Sequence, residues 1–96
     1  VTLTIRGEAL AEIDSALRYY AQQSPELMAR LFKELQAAQQ QIVAFPFRWP
    51  KYARDTRHYL LPRFPYRLVY RIKGDNVRLL AVAHVKRRPG YWQHRT

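Results

Sequence analysis

The amino-acid sequence predicts an α+β domain of order β-α-α-β-β-β, a helical hairpin packed on a small, mainly antiparallel, curled sheet. Three observations carry that reading. Apolar residues recur at helical spacing through two stretches of the first half, separated by a Ser-Pro break. Three strand-like runs rich in β-branched and aromatic residues fill the second half, two of them joined through Gly-Asp. A short alternating run, "VTLTIR", precedes the helices. With 96 residues the chain is read as a single domain, residues 1–96, with one modest core.

The opening run reads as a first or edge strand because it is short, alternating and β-branched. From Glu8 the period changes: Ala9, Ile13, Ala16, Leu17 and Tyr20 share one helical face. Glu8, Glu12 and Asp14 fall in the early turns, where the helix dipole favours negative charge. In "QQSPEL", Ser24 is a natural N-cap and Pro25 suits the first helical position. A second helix then carries Leu27, Leu31, Leu35, Ala38, Ile42 and Phe45 on one stripe and should stop at Pro46. The short turn makes the two helices antiparallel. "PFRWPKYARD" has two prolines and no period, and is read as a loop. "TRHYLLP", "YRLVYRI" and "NVRLLAVAHV" are the three remaining strands. With Gly74-Asp75 as a two-residue hairpin loop, Ile72 faces Val77, Tyr70 faces Leu79 and Leu68 faces Ala81, an apolar face for the helices to cover.

Charge is distributed unevenly. Residues 1–47 hold four Lys/Arg against five Asp/Glu, a net −1; residues 48–96 hold thirteen against two, a net +11. Such confinement of positive charge to one half points to an anionic partner, either nucleic acid or an acidic protein segment. The absence of cysteine excludes a disulfide framework and a thiolate metal site, and fits a reducing compartment. No apolar run reaches the roughly 18 residues of a membrane span and no signal-peptide pattern opens the chain, so a cytoplasmic protein with no membrane partner is expected.

The same hairpin register places Arg67, Val69 and Arg71 on the face away from the helices, beside Arg78, Leu80, Val82 and His84, with Arg71 directly opposite Arg78. Like charges so placed repel, and either splay into water or await an anion. The stretch "HVKRRPGYW" extends that face through Lys86, Arg87 and Arg88 and turns at Pro89-Gly90, leaving Tyr91 and Trp92 to close the sheet's edge. Arg57 and Arg63 add to the same anion-binding set. Chemistry is thinly supplied: there is no glycine-rich phosphate loop, no metal-ligand spacing and no paired carboxylates, so neither metal nor cofactor is expected. RNA cleavage by 2′-hydroxyl attack would need a base, an acid and cations, roles open to His84, Arg67 and Tyr91.

"EALAEIDSALRYYAQQSPELMARLFKEL" resembles the helical hairpin of the plasmid-stabilisation branch of the RelE/ParE toxin superfamily, and "RFPYRLVYRI" with "LLAVAHVKRRPGYWQHR" resembles its sheet and C-terminus. The resemblance covers nearly the whole chain and implies the toxin of a type II toxin–antitoxin system. It allows two activities, since RelE-type members cut mRNA in the ribosome and ParE-type members block DNA gyrase by binding it. Arg67 in "YRLVY" matches an arginine of the RNase branch and Tyr91 its terminal tyrosine. The preceding strand departs, offering His58 and Leu60 where that branch carries lysines, and Val85 stands where another catalytic arginine would align. An apolar Leu60 cannot stabilise a pentavalent phosphate. The departures favour a ParE-like gyrase inhibitor over a ribosome-dependent endoribonuclease, with a degenerate toxin kept as an antitoxin-binding module as a third reading. All three imply an antitoxin, with an acidic segment for the basic half. By analogy its helix would cross the α-hairpin at Leu31 and Leu35 and its tail would follow the sheet to Tyr91 and Trp92.

Overall fold

The structure, a computed structural model, describes residues 1–95. Strand β1 (Thr2–Ile5) leads into helix α1 (Gly7–Gln23) and helix α2 (Pro25–Ala44), and four strands follow: β2 (Lys51–Tyr52), β3 (Thr56–Leu60), β4 (Tyr66–Lys73) and β5 (Asn76–His84). They form one sheet in the order β1-β5-β4-β3-β2, antiparallel throughout except for the parallel pair β1–β5. The stretch expected to be only loop therefore contributes a fifth strand. It is two residues long, too short for a pleat pattern to register, and is held by the pairs Lys51–Arg57 and Tyr52–Thr56. Among the described residues, no helix is long and apolar enough to cross a membrane.

The helical hairpin forms as its punctuation dictates. The Ser24 hydroxyl accepts from the backbone N–H groups of Glu26 (3.2 Å) and Leu27 (3.4 Å), and Pro25 takes the first helical position. Leu31, Leu35, Ala38 and Ile42 of α2 and Ala9 and Ala16 of α1 are buried against Leu68, Tyr70, Val77, Leu79 and Val82 of the sheet. Phe45 leaves the apolar stripe as α2 ends; its exposed ring is covered by the Arg48 guanidinium 3.9 Å from its centroid.

The β4–β5 hairpin turns at Gly74-Asp75, with Gly74 at φ 59°, as in a turn with glycine in the first loop position. Near the turn the expected pairs form: Ile72 with Val77, Arg71 with Arg78, Tyr70 with Leu79. Beyond them the register slips, because Val69 pairs with Ala81 and Leu80 is left as the extra residue of a β-bulge. Leu68 consequently faces Val82 rather than Ala81, Arg67 faces Ala83 and Tyr66 faces His84. A one-residue slip exchanges the faces of every later side chain. Val82 and His84 thus turn toward the helices, and Ala81 turns away from them.

That far side of the sheet is not open at its centre. Val69, Leu80, Ala81 and Trp92 form a second buried cluster, with Tyr52, Ala53 and Tyr91 packed around it. Trp92 is 1% exposed, its ring stacked on Tyr52 at 5.5 Å and edge-on to Tyr91 at 5.3 Å. Residues 91–95 therefore form a lid, with Trp92 covering the second face of the sheet and Arg95 reaching the β5 edge.

Candidate binding surface

Strand β1 covers the outer edge of β5 only as far as Leu79. Past that point the polar groups of β5 need other partners, and two side chains from opposite ends of the chain supply them. Glu12 of α1 accepts from the Val82 N–H at 3.0 Å, and Arg95 donates to the Leu80 carbonyl at 3.0 Å. The two are joined by an ion pair at 3.0 Å, and Glu12 also accepts from the Tyr91 hydroxyl at 2.7 Å. One carboxylate thus ties α1, the β5 edge and the C-terminal segment together. Burial first, and the Glu12 hydrogen bond second, push the Tyr91 hydroxyl well above the ordinary tyrosine range. The Arg87 guanidinium lies over the Tyr91 ring, 3.9 Å from its centroid.

The three residues proposed for RNA cleavage are separated by this architecture. Arg67 lies on the far face, donating to the Tyr52 hydroxyl with its guanidinium 4.7 Å from the Tyr52 ring centroid. The bulge sends His84 to the helix side, edge-on to Tyr66 at 5.5 Å, where its Nδ1 accepts from the Lys86 N–H at 3.1 Å. His84 and Tyr91 share a cleft of about 270 Å³ with Glu12, Tyr19, Tyr66 and Arg87, and Arg67 is not part of it. The expectation that His84 stands beside Arg67 on one face is thereby corrected.

Sequence reasoning passed over a different grouping. His58 stacks on Tyr52 with centroids 4.2 Å apart and planes at 13°, on the face that carries Arg67. Burial, and then the Arg67 charge, lower the His58 pKa below the usual 6.5, so its imidazole is neutral at physiological pH. Leu60 lies directly opposite Arg67, exposed and apolar. The signal that could have found the group is alternation: His58 and Leu60 on β3 share a pleat face with Arg67 and Val69 on β4.

The basic residues do not make one continuous patch. Arg71 and Arg78 stand at the turn end of the β4–β5 hairpin, while Lys86, Arg87 and Arg88 are exposed at the opposite end of β5. The segment carrying Tyr91 and Trp92 lies over the sheet between them. Arg57 points to the helix side and donates to the carbonyls of Phe47 (3.1 Å) and Trp49 (2.7 Å), bracing the loop after α2. Arg63 is exposed, and its backbone N–H donates to Glu34 at 3.3 Å. Leu31, Leu35 and Trp92, expected to receive an antitoxin, are at most 2% exposed. Each faces a core because the sheet has two covered faces, so a partner cannot rest on them without opening the fold. The hairpin's outward apolar residues are Leu10, Tyr19 and Phe32.

The family model for the ParE toxin of type II toxin–antitoxin systems, parDE, matches residues 3–89. The chain belongs to the ParE toxin family. That match takes in both helices, four whole strands and β1 from Leu3, and makes the chain a ParE-like member of the RelE/ParE superfamily. No curated protein matches the sequence. Among solved structures, the chain is similar to one described as the chromosomal ParDE toxin–antitoxin system from P. aeruginosa. The TM-score is 0.70 at 19% identity, covering 88% of this chain and 95% of that one. At that identity the likeness is one of fold, and it extends to the helical hairpin on the mixed sheet.

Proposed function

We propose that this ParE-family toxin acts by binding DNA gyrase, without cutting RNA, and that an antitoxin with an acidic segment neutralises it. The observation that carries the reading is the dispersal of the groups RNA cleavage would need. Arg67 is committed to Tyr52 on one face of the sheet, His84 lies on the other, and the Tyr91 hydroxyl donates to Glu12. A 2′-hydroxyl attack needs its base, acid and cation within hydrogen-bond reach of one phosphate. The cleft beside α1 supports the antitoxin part. It sets Tyr19, Tyr66 and Tyr91 beside Arg87, a rim of aromatic anchors with a cation.

Purified protein incubated with gyrase and relaxed plasmid should block supercoiling; undiminished supercoiling at excess toxin overturns the reading. The ribonuclease alternative retains one supporting observation, the far-face group of Arg67, Tyr52 and neutral His58. It predicts A-site cuts on translating ribosomes that disappear in both Arg67→Ala and His58→Ala, while His84→Ala cuts normally. Induced expression without antitoxin that leaves growth unaffected would instead mark a toxin reduced to an antitoxin-binding module.

A further inference from the structure

The turn end of the β4–β5 hairpin holds a second site, separate from the cleft beside α1. Arg71 and Arg78 pair directly across the two strands on the far face, and Lys73 and Asn76 pair next to them. Side chains in such positions have Cβ atoms about 5 Å apart, and like charges there are destabilising. No carboxylate pairs with them: among the described residues the ion pairs are Arg6–Glu8, Asp14–Arg18 and Glu12–Arg95, and the acids closest in sequence, Asp75 in the turn and Asp55 beside Arg54, form none with this group. The Arg78 Nε is buried without a hydrogen-bond partner, and a single bond from Arg71 Nη2 to the Arg54 carbonyl (3.1 Å) uses one of that guanidinium's donors. Asn76 is held in place, donating to Thr2 Oγ1 at 2.9 Å and accepting from Thr4 Oγ1 at 3.1 Å. Together Arg71, Lys73, Asn76 and Arg78 enclose a cleft of about 320 Å³.

We propose that this cleft binds the phosphodiester backbone of a nucleic acid, with Arg71 and Arg78 bridging one phosphate and Lys73 adding a second charge contact. The lining decides the class of partner. A protein segment is held at its centre by aromatic or aliphatic anchors, and no such side chain lines this cleft. A phosphate needs only donors and positive charge, which two forked guanidiniums and an ammonium supply. The contacts are to backbone, so binding is indifferent to base sequence. The cross-strand repulsion is then relieved when the anion is bound, which accounts for a like-charge pair at a position where the fold gains nothing from it.

The test is fluorescence anisotropy of a labelled DNA duplex of mixed sequence and, separately, a single-stranded RNA of equal length, over a series of salt concentrations. Wild type is compared with Arg71→Ala/Arg78→Ala and, as a charge-matched control, Arg87→Ala/Arg88→Ala. The cleft variant should bind more weakly at every sequence, and its slope of log affinity against log salt should be shallower by about 2, one for each lost cation. Arg71→Lys/Arg78→Lys, which keeps both charges, should keep most of the slope. Whether duplex or RNA binds the more tightly identifies the source of the phosphate. Equal losses in the cleft variant and the control would mean that binding follows net charge alone and overturn the proposal. Displacement of nucleic acid by polyglutamate at matched charge, with no difference between the phosphate and carboxylate ligands, would overturn it as well. A protein that blocks gyrase but fails here refutes the cleft and leaves the toxin reading standing; the converse result refutes only the gyrase reading.

Discussion

Replacing Glu12 with alanine removes one carboxylate and strands three donors at once: the Val82 N–H, the Tyr91 hydroxyl and the Arg95 guanidinium. The side chains of Arg95 and Glu12 are 10% and 18% exposed, so the pair is mostly shielded from water. Breaking a buried pair by deleting one partner costs about 3–5 kcal/mol, and the residual exposure places this one at the low end. The orphaned Val82 N–H would add about 1 kcal/mol or more, but it lies on an uncovered strand edge that water reaches once the carboxylate is gone. A net loss of about 3 kcal/mol follows, since the three bonds share one acceptor group and do not add. With an unfolding entropy of about 2.1 cal/mol/K per residue, 96 residues give about 0.2 kcal/mol/K, so Tm should fall by about 15 °C. Glu12→Gln keeps a neutral acceptor and should lose only about 1–2 kcal/mol. Thermal melts by circular dichroism measure both. In a Trp49→Phe background the remaining indole is Trp92, and its emission should shift to the red in Glu12→Ala below the main transition as the lid lifts. A Tm within a few degrees of wild type, with unshifted Trp92 emission, would show that the lid is held by its apolar packing and that the carboxylate is incidental.

Three further perturbations test other parts of the structure. The folded pKa of His58 lies below its ordinary 6.5, so between the two values the unfolded chain binds the proton and the native protein does not. Stability should therefore fall as pH drops below about 6.5 and flatten beneath the folded value; His58→Phe, which keeps the stack on Tyr52, should abolish that slope in Tm-versus-pH measurements. Tyr70 is fully buried, donates to the Pro46 carbonyl at 2.6 Å, and is pushed up to about 12 by burial, with Arg57 opposing the shift. Its raised pKa means that stability is lost as pH rises above about 10, and Tyr70→Phe should remove this residue's share of the alkaline loss, leaving the shares of Tyr20, Tyr66 and Tyr91, while costing about 1 kcal/mol at neutral pH by urea titration. Gly74 has open space where a Cβ would stand, so Gly74→Ala should cost only the backbone term for φ 59°, about 1–2 kcal/mol, with the strand register intact by amide exchange.

The helical hairpin was readable because its punctuation is local. Ser24, Pro25 and Pro46 act through adjacent backbone groups, and the inward stripe follows from spacing alone. The hairpin loop was readable for the same reason. The bulge was not, because "LLAVA" is apolar at every position and either register buries something acceptable. That run held a clue nonetheless: continuous apolar strands are covered on both faces, which calls for a second layer. Trp92 is that layer, and only the tertiary path of the last residues reveals it. Glu12 offered a similar clue, three residues after Ala9 and four before Ala16, both buried. An acid on the inward stripe of a helix needs a buried partner, and Arg95 lies eighty-three positions away. The like-charge pair Arg71–Arg78 was visible because it lies on the turn side of the bulge.

The sheet order carries a consequence for the protein's synthesis. Strand β1 emerges first, yet its sole neighbour is β5, and Thr2 meets Asn76 across seventy-four positions of chain. Glu12 likewise waits for Tyr91 and Arg95. A growing chain can form its helical hairpin early, because those contacts are local, but the hydrogen bonds that close the sheet span almost the full length. The fold thus closes only after the segment through Arg95 has been made. A product truncated before Trp92 would leave Val69, Leu80 and Ala81 uncovered, a ready substrate for quality-control proteolysis. For a toxin, late closure confines the folded shape to chains made at least as far as Arg95.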